Sequence, residues 1–227
     1  PNIAKDAVEA TRAMWAAYDG LLDKDYKNVK LLFMWSVDRP LIMTLKKPVR
    51  SLADLKGMKI RTPSQMQSKT IKALGAVPIP MSITKVYNGM ARGLIDGVLT
   101  STTTLRGFKL AEVTKYFTAG LPWSTSPMFL VMNMKTYEGL SPAHKAIIDK
   151  TTGAKPSELG ARIYEKENAE GWDFIRKSSK HEFVEMNKAD LQKSLNIWKT
   201  TSKEMIAETT ARGVPAQKIV DRMLAAN

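Results

Sequence analysis

MKIRTPSQMQSKTIKALGAVPIPMSITKVYNGMARGLIDGVLTS, residues 58–101, switches repeatedly between extended and helical patterning. MKIRT reads as a short apolar strand. Ser64 then caps a helix that runs to Leu74 and ends at Gly75. VPIPM (77–81) re-enters extended structure, because its two prolines forbid helix. Ser82 caps a second helix, ITKVYNGMARG, closed by Gly93, and LIDGVLTS returns to strand. Strand, helix, strand, helix, strand predicts an α/β layer with crossover connections. In such sheets ligands gather beyond the carboxyl ends of the strands. Arg61 stands at one such end and Thr100 with Ser101 at another.

Outward from this block, residues 3–24 read as an amphipathic helix with Met14, Trp15, Tyr18 and Leu22 at helical spacing and Gly20 as its weak point. VKLLFMWS (29–36) and LIMTLKK (41–47) are strand candidates, and SLADLKG (51–57) suits one helical turn with Ser51 and Asp54 as a cap pair. A short helix passes through Leu105, Phe108 and Leu110, and PMFLVMN (127–133) reads as a buried strand. Ser141-Pro142 starts a helix, with proline in the first helical position. A long charged helix over 157–178, a strand at HEFVEMN (181–187), and a helix with Leu191, Leu195, Trp198 and Met205 on one face follow. Pro215 opens a last helix through Leu224. With no repeat or long linker in the sequence, any second domain is interwoven with the first.

The 227 residues are 44% hydrophobic and 25% charged, the composition of an ordinary globular chain able to bury a sizeable core. No apolar run approaches the ~20 residues of a membrane span, and PNIAKDAVEATRAM lacks the basic start and apolar block of a signal peptide. The absence of cysteine excludes disulfides, thiolate metal sites and a cysteine nucleophile. The net charge of +13 is concentrated: residues 27–72 hold eleven Lys/Arg against Asp38 and Asp54, or +9. Such a stretch is either a solvated surface or an attractor for nucleic acid, acidic lipid or small anions.

No spacing marks an enzyme. His144 and His181 read as surface residues, away from any carboxylate pair or serine that would make a metal site or triad. A hydrolase built on Ser101 or Ser124 would lack a base in reach. Neither phosphate-loop glycine pattern occurs. TSTTT (100–104) and WSTS (123–126) place hydroxyls beside strand ends, either as polar pocket lining or as turn and cap chemistry. Arg61 offers a rigid fork of donors matched to a carboxylate, and spacing alone leaves two partners open: a ligand anion, or an internal acid such as Asp96.

LADLKGMKIRTP (52–63), ALGAVPIPMSITKVYNGMARGLIDGVLTS (73–101), FKLAEVTKYFT (108–118) and FLVMNMKTYEGLSPAHKAIID (129–149) occur in this order. Together they resemble the DctP-like solute-binding receptors of tripartite ATP-independent periplasmic (TRAP) transporters. The resemblance covers about residues 29–152 and extends more loosely through the C-terminal helices. Family members carry a secretory signal and a leading β/α portion before anything like residues 1–28, so the chain resembles a receptor lacking that portion.

The resemblance implies an α/β, periplasmic-binding-protein-like, two-lobed fold with mixed sheets, crossing segments and a long connecting helix. Residues 1–38 would be what remains of lobe I, 39–125 mostly lobe II, and 126–227 a crossing strand, the connecting helix and C-terminal helices. The implied function is not enzymatic. It is capture of a small organic carboxylate, aromatic or a 2-oxo or 2-hydroxy monocarboxylate, by lobe closure in the periplasm, and delivery to the TRAP permease by a monomer without cofactor or metal.

By the same resemblance Arg61 bridges the ligand carboxylate and Ser64 adds a polar contact. Thr100 stands where the family frequently has asparagine, with Ser101 beside it. Losing an amide there changes the head group the site suits. Trp123, Trp35 and Arg39 fall in segments that supply further aromatic or cationic contacts. The competing reading is a basic nucleic-acid-binding module, which would use the 27–72 charge but has no matching motif.

Overall fold

The computed structural model describes residues 4–226. In chain order the elements are α1 (Ala7–Ala16), β1 (Val29–Ser36), β2 (Leu41–Thr44), α2 (Leu52–Leu55), β3 (Lys59–Thr62), α3 (Gln65–Ala73), β4 (Val77–Pro80), α4 (Val86–Ala91) and β5 (Gly97–Thr100). They continue with α5 (Thr104–Gly107), β6 (Tyr116–Ala119), β7 (Pro127–Asn133), α6 (Met134–Glu138), α7 (Pro142–Thr151), α8 (Ala154–Lys177), β8 (Glu182–Glu185), α9 (Lys188–Ala211) and α10 (Ala216–Ala225). The chain divides into two compact units. One comprises Arg39–Ser124 and Glu167–Met205; the other comprises the described residues up to Asp38, Thr125–Lys166 and those from Ile206 onward.

The first unit is built on a six-stranded sheet of order β4-β3-β5-β2-β6-β8. β3 runs parallel to both β4 and β5, β2 runs antiparallel to β5 and β6, and β8 is parallel to β6. Both faces are covered, so the central strands are apolar without alternation. Leu41, Met43, Val98 and Phe117 enter one apolar cluster, while Ile42, Ile60 and Leu99 enter the other. The crossover helices separate in the same way. α3 contributes Ile71 to the second cluster, and α4 contributes Val86 and Met90 to the first. The connections leaving β3 and β4 therefore depart to opposite faces of the sheet, which opens a crevice beyond their carboxyl ends.

The second unit has a two-stranded antiparallel sheet that pairs β1 with β7, Val29 opposite Asn133 and Ser36 opposite Pro127. α1 packs on β1 through Met14 against Leu31 and Met34, and the Trp15 indole donates to the Met34 carbonyl at 2.8 Å. Arg12 clamps Glu158 of α8 with two hydrogen bonds, of 2.9 and 2.8 Å. Trp35 lies over Gly160, where an added Cβ would stand 3.1 Å from the indole, so α8 approaches β1 closely only because that residue is glycine.

Four local expectations need correction. The helix expected over 3–24 stops at Ala16, because Asp19 and Gly20 adopt non-helical angles, with Gly20 at φ +78°. PMFLVMN is a strand but not a buried one: Phe129 is 57% and Leu130 50% exposed, since β1 is the only strand that pairs with it among the described residues. Ser82 makes no side-chain cap; it precedes a 3₁₀ turn, Ile83–Lys85, and α4 starts after Lys85. His181 is half-buried between Phe117 and Phe174, ring centroids 5.4 Å from each, with Nε2 at 3.0 Å from the Ala111 carbonyl.

Gly97 shows how tightly the sheet is packed. A Cβ there would lie 2.8 Å from the Thr44 methyl, 2.9 Å from Ile60 Cδ1 and 2.9 Å from the Met43 carbonyl oxygen. The carbonyl belongs to a paired strand and cannot retreat. Gly97→Ala is expected to lower stability by about 1–3 kcal/mol through overpacking. A denaturant midpoint equal to that of the parent would show that the strands separate more easily than this packing implies.

Candidate functional site

Strand directions bring several of the singled-out residues to one end of the six-stranded sheet. Arg61 and Thr62 close β3, Pro80 closes β4, and Thr100 closes β5 opposite Leu41, the first residue of β2. Because β2 is antiparallel to β6, the carboxyl end of β6 points the same way and leads to Trp123 and Ser124. Arg61, Ser64, Thr100, Ser101, Arg39 and Trp123 thus belong to one unit and one sheet end. Trp35 belongs to the other unit, where it lies 6.3 Å from the Tyr164 ring.

Arg61 is the chemical centre. It stands at the carboxyl end of β3 and is only 5% exposed. Nε donates to the Met81 carbonyl at 2.9 Å and Nη1 to the Leu99 carbonyl at 3.4 Å. These two bonds span the strands on either side of β3 and fix the plane of the guanidinium. Burial pushes its pKa down to about 10, which leaves the group charged at neutral pH. Among the described residues no carboxylate forms an ion pair with it. Asp96, the internal acid weighed from the sequence, is at the opposite end of β3, where its carboxylate accepts from the Lys59 backbone N–H at 2.8 Å.

The residues around it have defined local roles. Ser64 caps α3 by accepting from the Gln67 backbone N–H at 3.3 Å, and Ser68 Oγ stands 2.6 Å from Thr62 Oγ1. Ser101 Oγ holds the following turn, 2.8 Å from Thr103 Oγ1 and 3.1 Å from the Thr103 N–H that donates to it. Trp123 is 2% exposed inside the apolar cluster with Ile42, Ile71 and Leu121, and Arg39 is exposed on the approach to β2. One residue at this end was not signalled by the sequence. Gln67, 3% exposed in the first turn of α3, donates through Nε2 to the Ser124 carbonyl at 3.2 Å. Its place three residues after Ser64 reads as ordinary cap chemistry, and only the fold shows that it is buried. Among the described residues no cluster of three or more histidine or acidic side chains could hold a metal, and no helix is long and apolar enough to cross a membrane.

The two readings of Arg61 predict different stabilities. Breaking a buried ion pair costs roughly 3–5 kcal/mol because a naked charge stays behind. Here Arg61→Met strands only two carbonyl acceptors, so a loss of no more than about 2 kcal/mol is expected in denaturant unfolding. A loss in the ion-pair range would mean that a protein carboxylate depends on this guanidinium.

The profile of the family described as "Bacterial extracellular solute-binding protein, family 7" (DctP) matches residues 5–209. The 2,3-diketo-L-gulonate-binding periplasmic protein YiaO of Escherichia coli is 32% identical over 149 residues, 63% of this chain and 44% of that protein. A TRAP solute-binding protein from a marine metagenome, specific for aromatic acid ligands and solved with 3-hydroxybenzoate, superposes with a TM-score of 0.92 at 25% identity, covering all of this chain and 71% of that one. Another, from Rhodoferax ferrireducens with copurified benzoate, gives a TM-score of 0.92 at 22% identity, again over 100% of this chain and 71% of its own.

The chain spans less than half the length of the curated relatives it matches first. The likeness confirms the α/β fold of TRAP receptors, a family of solute-binding proteins and not of enzymes. With the match running through nearly all of its sequence, the chain belongs to the DctP family of bacterial extracellular solute-binding proteins.

Proposed function

We propose that the chain is part of an extracytoplasmic receptor that binds a small organic carboxylate through Arg61 and delivers it, as a monomer in the periplasm after signal removal, to a TRAP membrane permease. One observation carries the reading: a guanidinium 5% exposed whose hydrogen bonds, among the described residues, go only to the Met81 and Leu99 carbonyls. A buried cation without a counter-charge is costly to the fold. A carboxylate arriving beside it accepts the remaining N–H donors, and in that low-dielectric setting the pair is far stronger than in water.

The start of α3, immediately beyond Pro63, adds backbone donors on the same side. Thr100, Ser101 and Ser64 supply hydroxyls to the ligand body, and Trp123 and Arg39 of the same unit set the surroundings. A monocarboxylate with an aromatic or other compact body suits this mixture, and relatives that take 3-hydroxybenzoate and 2,3-diketo-L-gulonate support it. Nothing in the family match favours a nucleic-acid-binding module.

Thermal-shift screening followed by calorimetry tests the proposal, with 3-hydroxybenzoate, benzoate, mandelate and phenylglyoxylate as probes and a DNA oligonucleotide as the contrast. At least one acid is expected to stabilise the chain, by about 2.7 kcal/mol at a hundred times its Kd. Arg61→Ala is expected to weaken that acid by about 2–5 kcal/mol. Stabilisation by the oligonucleotide alone, or equal affinity in Arg61→Ala, would overturn it.

A further inference from the structure

The net charge of +9 carried by residues 27–72 has no use at Arg61 beyond a single cation, and the fold shows where much of it goes. At the end of the six-stranded sheet away from Arg61, β3, β4, β5 and β6 begin and β2 stops. The register fixes this, pairing Lys59 with Val77 and Thr44 with both Gly97 and Tyr116. Lys59 opens β3, Lys56 precedes it, and Lys46 and Lys47 follow β2. α3 and α4 finish at the same end and add Lys72 and Arg92. All six cations are exposed.

Little acid accompanies them. Asp54 pairs with Lys47 at 3.0 Å, and the exposed Asp96 accepts from the Lys59 backbone N–H. The side chains of Lys46, Lys56, Lys59, Lys72 and Arg92 form no ion pair among the described residues. Lys72 and Arg92 also complement the carbonyl ends of their helices. Lys46 and Lys59 have no helix end to serve, and Lys56 follows only a single turn.

Apolar side chains stand among these charges. Leu94, between α4 and β5, is 61% exposed, and Val77, the first residue of β4, is 44% exposed. A cleft of about 290 Å³ opens at this end, where Leu45, Met58, Met90 and Ile95 line it together with Lys46, Lys47 and Lys56. We infer that this pole of the first unit is a docking surface for a bilayer that contains acidic lipids. The inference does not rest on the carboxylate reading of Arg61.

The kind of cation favours lipid over protein. Lysine is a strongly hydrated point charge on a flexible stem, and protein interfaces are depleted in it and enriched in arginine. An anionic bilayer demands no fixed geometry and attracts each lysine held near its surface. Exposed apolar groups favour lipid over nucleic acid. A phosphate backbone has nothing to offer Leu94, whereas the boundary between headgroups and acyl chains accepts such a side chain.

Co-sedimentation of the chain with phosphatidylcholine vesicles containing about one third phosphatidylglycerol tests this, with pure phosphatidylcholine vesicles as the contrast. Binding to the acidic vesicles alone is expected, with release as salt is raised. Neutralising Lys46, Lys56 and Lys59 together as glutamines is expected to weaken it about a hundredfold, or about fivefold for each charge. The same change at Lys150, Lys155 and Lys166, exposed lysines of the other unit, is expected to leave most of the binding in place. Leu94→Ser is expected to weaken it about fivefold.

A parent chain that ignores the acidic vesicles, or binds both kinds equally, overturns the inference. Equal losses in the two triple variants overturn it as well, because net charge and not this pole would then be responsible. Tighter binding of a DNA duplex through the same three lysines would assign the pole to nucleic acid instead. If the first triple variant does not fold, the salt release of the parent and the loss in Leu94→Ser decide, and the absence of either overturns the inference.

Discussion

A guanidinium buried without a carboxylate partner among the described residues is the constraint on which this structure turns. Arg61 is held by carbonyls of the segments on both sides of its own strand, at Met81 and Leu99. Those bonds satisfy part of its donor set and none of its charge. The sheet order makes the arrangement possible: connections from β3 and β4 leave toward opposite faces, as the separate clusters around Ile71 and Val86 require. The charge thus stands at the sheet end where these connections part, and the desolvation that lowers its pKa to about 10 also strengthens its attraction for an anion.

Rigidity around that crevice comes from the opposite end of the sheet and from its middle. Asp96 ties the start of β3 through the Lys59 N–H, and Gly97 lets β2, β3 and β5 approach within limits that a methyl group would violate. Apolar packing on both faces then leaves little freedom to the strand ends. A group held on such a frame is positioned in advance, and pre-positioning of this kind lowers the cost of association. The second unit has a different character. Its two-stranded sheet leaves Phe129 and Leu130 largely in solvent, while α1 packs on β1 through Met14 against Leu31 and Met34.

Much of the first unit was legible in the sequence because its signals are local. Pro63 and Ser64 mark the turn into α3, Gly75 ends it, and the prolines of VPIPM allow only extended structure. The position of Arg61 at a strand end followed from those marks, but its partner did not, because spacing cannot tell a near acid from a distant one. Asp96 directly precedes β5, whose first residue Gly97 pairs with Ile60, and so stands at the wrong end of β3. The apolar run of PMFLVMN misled for a related reason: composition reports what a strand could bury and not how many neighbours it has. Gln67 was silent because glutamine in a first helical turn is commonplace, and only tertiary packing removes it from water.

The central claim is that the Arg61 guanidinium holds the carboxylate of the receptor's ligand. A crystal structure of the chain with 3-hydroxybenzoate addresses it most directly. The account predicts the carboxylate oxygens about 2.7–2.9 Å from the Arg61 nitrogens, the range of charge-assisted hydrogen bonds. A ligand bound elsewhere, with Arg61 paired to an acidic side chain of the protein, would contradict it.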